Sequence, residues 1–235
     1  MNLTKFNYLN LKYHLQFKIA LAESYIKGLS PYNFHELVSY DMNPQPLQDL
    51  EIDNINILRM LTYEYMHYLP PKGLCTIITS IITEDLQGLL ERENACITIG
   101  KIKCKENGNL FNVPNKKMVL NRMIEQVLSN QPPGIGGNIH VWITLSDGTI
   151  IDPTIDITLD NKNPITFNSN NIICGSPKEI YKKHGYKYIP YLVTSYTFTD
   201  TATYKIEKLD YARNNIINNI NLLNNNKIED GKYFS

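Results

Sequence analysis

The chain has 235 residues, 43% of them hydrophobic, with 23 basic and 23 acidic side chains. That length suits one domain with a sizeable core, and the balanced charge gives no basic field to draw nucleic acid or an anionic membrane. No run reaches the roughly 18 apolar residues of a membrane span, and the opening stretch, interrupted by Asn7, Asn10, Lys12 and His14, lacks the apolar core of a signal peptide. The expectation is a cytoplasmic protein, or one exported without an N-terminal signal.

Residues 9–29 carry Leu11, Leu15, Ile19, Ala22 and Ile26 at helical spacing, and Gly28 with Ser30-Pro31 ends the pattern. After an irregular, proline-bearing stretch, residues 55–68 read as a second helix, stopped by Pro70-Pro71-Lys72-Gly73. Residues 74–90 predict a third. Ile77, Ile78, Ile81, Ile82, Leu86, Leu89 and Leu90 spread its apolar arc so widely that it must be buried. Cys75 falls in its first turn.

Residues 97–104 alternate as a strand. Glu106-Asn107-Gly108-Asn109 signals a turn, with residues 110–113 returning beside it. Residues 119–128 read as a helix, 132–137 as a Pro- and Gly-rich loop, and 139–145 with 149–155 as a hairpin. Strand patterns recur at 165–167 and 186–198, with a short helix over 177–184 between them. Residues 204–223 read as a closing helix that leads into an Asn-rich tail. Leading helices followed by an antiparallel sheet predict an α+β fold. The expected organisation is a helical region over 1–69, a catalytic core over 70–205 and a C-terminal helix and Asn-rich tail over 206–235, together one compact domain.

Of the four cysteines, Cys96, Cys104 and Cys174 have no partner pattern. No CxxC pair occurs, so neither a disulfide framework nor a structural zinc site is indicated. Cys75 differs by its position. A thiol is a nucleophile as thiolate. A helix N-terminus favours that anion, and the unpaired N–H groups of the first turn can serve an oxyanion. Gly73 leaves the approach to the sulfur open.

A histidine and an acceptor to orient it complete such a site, and His140 and Asp152 flank the predicted hairpin. A two-residue turn at Asp147-Gly148 pairs Asp152 with Ile143 and aims it away from His140. A three-residue loop, Ser146-Asp147-Gly148, with Gly148 in a left-handed bulge, instead pairs Trp142 with Asp152 and His140 with Thr154. His140, Trp142 and Asp152 then share a face. The proposed triad of Cys75, His140 and Asp152 stands or falls on that bulge. Taken singly, each residue has a plainer reading: a buried small side chain, a structural histidine, a turn.

Gly73-Leu74-Cys75 opening a helix, then His140-Val141-Trp142, then Asp152-Pro153-Thr154, resembles the transglutaminase-like superfamily within the papain-like fold. The resemblance spans residues 70–156. It implies a nucleophile helix packed on an antiparallel sheet and a Cys-His-Asp triad. It departs from the family in two places. An extra helix lies between Cys75 and His140, and Leu69 stands six residues before Cys75, where papain-type enzymes place a glutamine. Tyr68 and Asn138 are the candidate side-chain donors to an oxyanion, Trp142 a wall of the cleft and Gly137 part of its rim.

The function expected is cysteine-dependent acyl transfer, without a cofactor or metal, on a protein or peptide substrate or a small amide. Hydrolysis is the first choice, since water needs no second site: a peptidase, amidase or glutamine deamidase. A transglutaminase or N-acyltransferase is the alternative, and a non-catalytic binding module or a metal site on the same three residues are the others.

Overall fold

The computed structural model describes residues 8–30, 47, 52–57, 59–60, 78–80, 82–83, 95–106, 108–110, 115–128, 140–155 and 172–194. The readings over 165–167 and 204–223, and those for Tyr68, Cys75, Gly137 and Asn138, lie outside these residues.

Helix α1 runs Tyr8–Ile26. Gly28, at φ 68°, reverses the chain just after it, as a left-handed C-terminal glycine does. The face it buries is not the one its spacing suggested. Leu11, Leu15, Ile19 and Ile26 are between 51% and 81% exposed, while Tyr13, His14, Phe17, Ala20, Leu21 and Ser24 are buried. The reason is polar. Against the sheet, the Tyr13 hydroxyl lies 2.7 Å from Thr144 Oγ1. Ser24 Oγ accepts from the Val193 N–H at 3.1 Å and donates to the Ala20 carbonyl. Burial without those partners would cost each group, and an apolar stripe supplies none of them.

Described positions in 52–57, 59–60, 78–80 and 82–83 are helical. Ile78, Thr79, Ser80 and Ile82 have no exposed surface, consistent with a helix buried all round.

Among the described residues, six strands form one antiparallel sheet: β1 Cys96–Cys104, β2 Gly108–Asn109, β3 His140–Thr144, β4 Ile150–Asp152, β5 Ile173–Gly175 and β6 Tyr186–Thr194. On one edge of β1 lie β3 and, further along, β2; β6 follows the other edge. Beyond β3 come β4 and β5. The return strand starts earlier than the sequence suggested. Gly108 already pairs with Cys104, so Gly108 and Asn109 belong to the ladder and not to the turn. The short β5, with only Ile173, Cys174 and Gly175, shows no alternation and was not anticipated.

Helix α2 spans Lys116–Leu128 and helix α3 Pro177–His184. Ser176 and Glu179 cap α3 reciprocally, and Asn10 of α1 accepts from the Lys178 N–H. That satisfies orphan donors of the first turn. The sheet separates two apolar clusters. Tyr13, Phe17, Ala20 and Leu21 of α1 pack on Cys96, Ile102, Trp142, Ile150 and Val193. Leu120 and Met123 of α2 pack on Ile97, Ile99, Val141 and Leu192 of the opposite face. The described chain is thus an α+β fold with helices on both faces of an antiparallel sheet.

Candidate functional site

The β3–β4 hairpin sets the site. Its register pairs Ile143 with Ile151 and Thr144 with Ile150. The Gly148 N–H donates to the Leu145 carbonyl, the Leu145 N–H donates to the Thr149 carbonyl, and Gly148 has φ 85°. This is the three-residue loop with a left-handed glycine. Asp147 Oδ1 accepts from the Thr149 N–H, which supports the turn locally. Extending the register by one places Trp142 opposite Asp152, so His140 and Asp152 lie on one face as diagonal neighbours.

They meet. His140 Nε2 lies 2.6 Å from Asp152 Oδ2, and neither side chain has any exposed surface. Asp152 Oδ2 also accepts from the Tyr188 hydroxyl at 2.7 Å. Asp152 Oδ1 accepts from the Thr154 N–H at 3.1 Å and faces Thr154 Oγ1 at 3.4 Å. The buried carboxylate is therefore surrounded by donors, as a charge out of water requires. With Nε2–H committed to Asp152, the neutral imidazole carries its lone pair on Nδ1.

Trp142 stands two residues along the same strand face. Its ring is 6.3 Å from that of His140 at an interplanar angle of 20°, and it meets Tyr188 edge-on at 5.0 Å. Its Nε1–H donates to the Tyr13 hydroxyl. Tyr13 leads on to Thr144, and Thr144 to Thr98 at 2.8 Å. The indole is fully buried, so the substrate contact expected of it stays a proposal.

Gly100 makes room for this packing. A Cβ there would collide with the Ile189 carbonyl and come within 2.7 Å of Trp142 Cη2. Gly100 pairs with His140 on one side and Pro190 on the other, where β6 shifts register. A proline is tolerated at such an edge irregularity. The shift also explains why Tyr188 and Val193, of opposite parity, both face α1.

The buried helical residues 78–80 and 82–83 reach the same strand. Thr79 Oγ1 donates to the Val141 carbonyl at 3.4 Å. In the hairpin register Val141 lies across from Pro153, which has no N–H to offer.

Among the described cysteines, Cys96, Cys104 and Cys174 form no disulfide. No group of three or more metal-ligating side chains occurs among the described residues, and no described helix is long and apolar enough to cross a membrane. Tyr188, Tyr13 and Gly100 are the site residues that the sequence reading missed. Tyr188 lies within the strand expected over 186–198, but no local pattern marks which of its tyrosines reaches Asp152.

The fold and site define an α+β protein with a buried His-Asp pair on adjacent antiparallel strands. No protein-family model, curated protein or solved structure matches the chain.

Proposed function

We propose that the chain is a cysteine-dependent acyl-transfer enzyme of the transglutaminase-like, papain-like kind, with Cys75 as nucleophile, His140 as base and Asp152 as its orienting acid. The observation that carries the reading is the 2.6 Å contact from His140 Nε2 to Asp152 Oδ2. It assigns Nε2–H to the carboxylate, so Nδ1 is the ring atom that would take a proton from a thiol. The contact from Thr79 to Val141 supports it. Thr79 stands four residues after Cys75, so one turn of continuous helix would put both on one side, beside the strand that starts with His140.

In this reading the Cys75 thiolate attacks an amide carbonyl to form a tetrahedral intermediate. His140 returns its proton to the leaving amine, and a thioester remains. Water, deprotonated by His140, then releases the acid and restores the thiol. Hydrolysis of a peptide or small amide is the preferred outcome, and an amine acceptor would give transfer instead. The oxyanion would be held by N–H groups at the start of the Cys75 helix, with Tyr68 or Asn138 as side-chain donor. Gly137 and Trp142 would border the substrate.

One observation favours a second reading. His140 and Asp152 are wholly buried, and a pair that only ties strands together in a non-catalytic binding module has the same geometry. An activity-probe screen with amide, ester and glutamine-type substrates separates the two. Labelling and turnover that vanish in Cys75→Ala support the enzyme; no labelling of the wild type supports the module.

A further inference from the structure

The Asp152 oxygen that engages His140 has a second donor. Tyr188, on β6, reaches across the sheet to place its hydroxyl 2.7 Å from Oδ2, the same atom that lies 2.6 Å from His140 Nε2. Two donors on one oxygen divide its charge between them. A carboxylate that also serves a phenol offers less negative potential to an imidazole than one that serves the imidazole alone.

We propose that Tyr188 is a positioning residue of the His140–Asp152 pair, fixing the carboxylate in place and limiting the charge that Asp152 presents to His140. The role rests on the enzyme reading above only for its use in catalysis; the electrostatic claim concerns the pair itself. The phenol is held in turn by the edge-on contact with Trp142, which the Tyr13 hydroxyl anchors. Gly100 gives the indole its space.

The phenol remains a donor across the neutral range. Burial, and then the neighbouring Asp152 carboxylate, hold Tyr188 well above its usual pKa. The titratable groups that act on Tyr188 besides Asp152 are Tyr13 of α1 and Tyr186 of the same strand, and Lys12 and Lys187 line the pocket beside Tyr13 and Tyr188. Burial raises both tyrosines. Tyr186 and Tyr13 are therefore neutral near pH 7, and among the contacts of the Asp152 carboxylate its hydrogen bonds are the closest.

The consequence has a sign. Without the Tyr188 hydroxyl, Oδ2 turns its full charge on Nε2–H, the imidazolium is stabilised and the His140 pKa rises. Water entering beside the buried ring would also raise it by relieving desolvation, so a variant that keeps the packing must separate the two causes. The test is an NMR titration of the ring of His140 in the full chain carrying Cys75→Ala, which removes coupling to the thiol. Adding His140→Gln identifies the resonance among the five histidines.

Tyr188→Phe is expected to raise the His140 pKa by about one unit, a tenfold change in proton affinity. 3,5-Difluorotyrosine at position 188 keeps the shape and donates more strongly, so it is expected to lower that pKa. An unchanged or lowered pKa in Tyr188→Phe overturns the proposal. If that variant does not fold, the fluorinated residue decides alone, and no downward shift overturns it. Alkylation of Cys75 in the wild type reports separately on the enzyme reading. A moved His140 pKa with an unreactive Cys75 sinks the enzyme and keeps the positioning role.

Discussion

Asp152 accepts from side chains of two other strands and from the chain just beyond its own. Truncation to Ala strands His140 and Tyr188 in the interior and is expected to cost about 3–5 kcal/mol in urea unfolding. Asp152→Asn fills the same space but turns an NH2 group toward one set of donors. The Thr154 N–H cannot become an acceptor, so the amide oxygen stays with it and the NH2 faces His140, which meets it by accepting at Nε2 and moves the ring proton to Nδ1. That tautomer cannot take a proton from a thiol. The variant is expected to stay folded while Cys75 turnover falls on the order of 10³–10⁴-fold, read as kcat on whichever amide the screen finds. Gly100→Ala pushes on Trp142 and the Ile189 backbone together, and about 1–3 kcal/mol of stability should be lost. His14 gives a pH signature away from the site. Burial, and then Lys18, lower its pKa from 6.5 to about 4. The unfolded chain therefore binds the extra proton between those values. Its contribution is complete above pH 6.5 and is lost as pH falls toward 4. Urea midpoints of His14→Gln should depend less on pH across that window than those of the wild type.

The hairpin element was readable because its logic is local. Ser146-Asp147-Gly148 allows one register that unites His140 with Asp152, and the left-handed Gly148 realises it. Gly148→Ala forces a side chain into that conformation and is expected to cost about 1–2 kcal/mol. Deleting Ser146 shortens the loop by one residue and turns Asp152 to the other face. Thermal unfolding should show a larger loss than for Gly148→Ala, and the His140 resonance should lose its Asp152 interaction. Helix α1 teaches the opposite lesson. Its helical state was legible, but its orientation was not. Tyr13, Asn10 and Ser24 face inward because Thr144, the α3 N-terminus and Val193 need polar partners, and no residue within α1 reveals that need. Phe17→Ala should cost about 3–5 kcal/mol, whereas Leu15→Gln on the exposed stripe should stay within about 0.5 kcal/mol; comparative urea denaturation checks both.

At the scale of the molecule, one antiparallel sheet with α1 and α2 on opposite faces holds the pair at its centre. The α+β class followed from the order of the elements. The support of the site did not, because Tyr188, Tyr13 and Gly100 act through contacts between residues far apart in the chain. Tyr188 lies 36 residues beyond Asp152, and Tyr13 lies 129 before Trp142; only the fold brings them together. The central claim is that this arrangement activates Cys75, and the rate of its carbamidomethylation at pH 6, measured peptide by peptide, tests it most directly. Cys75 is expected to react roughly a hundredfold faster than an ordinary thiol with pKa near 8.5, faster than Cys96, Cys104 and Cys174, and to lose that advantage in His140→Gln. Uniformly slow labelling of all four cysteines, or a fast Cys75 that is indifferent to His140, would contradict it.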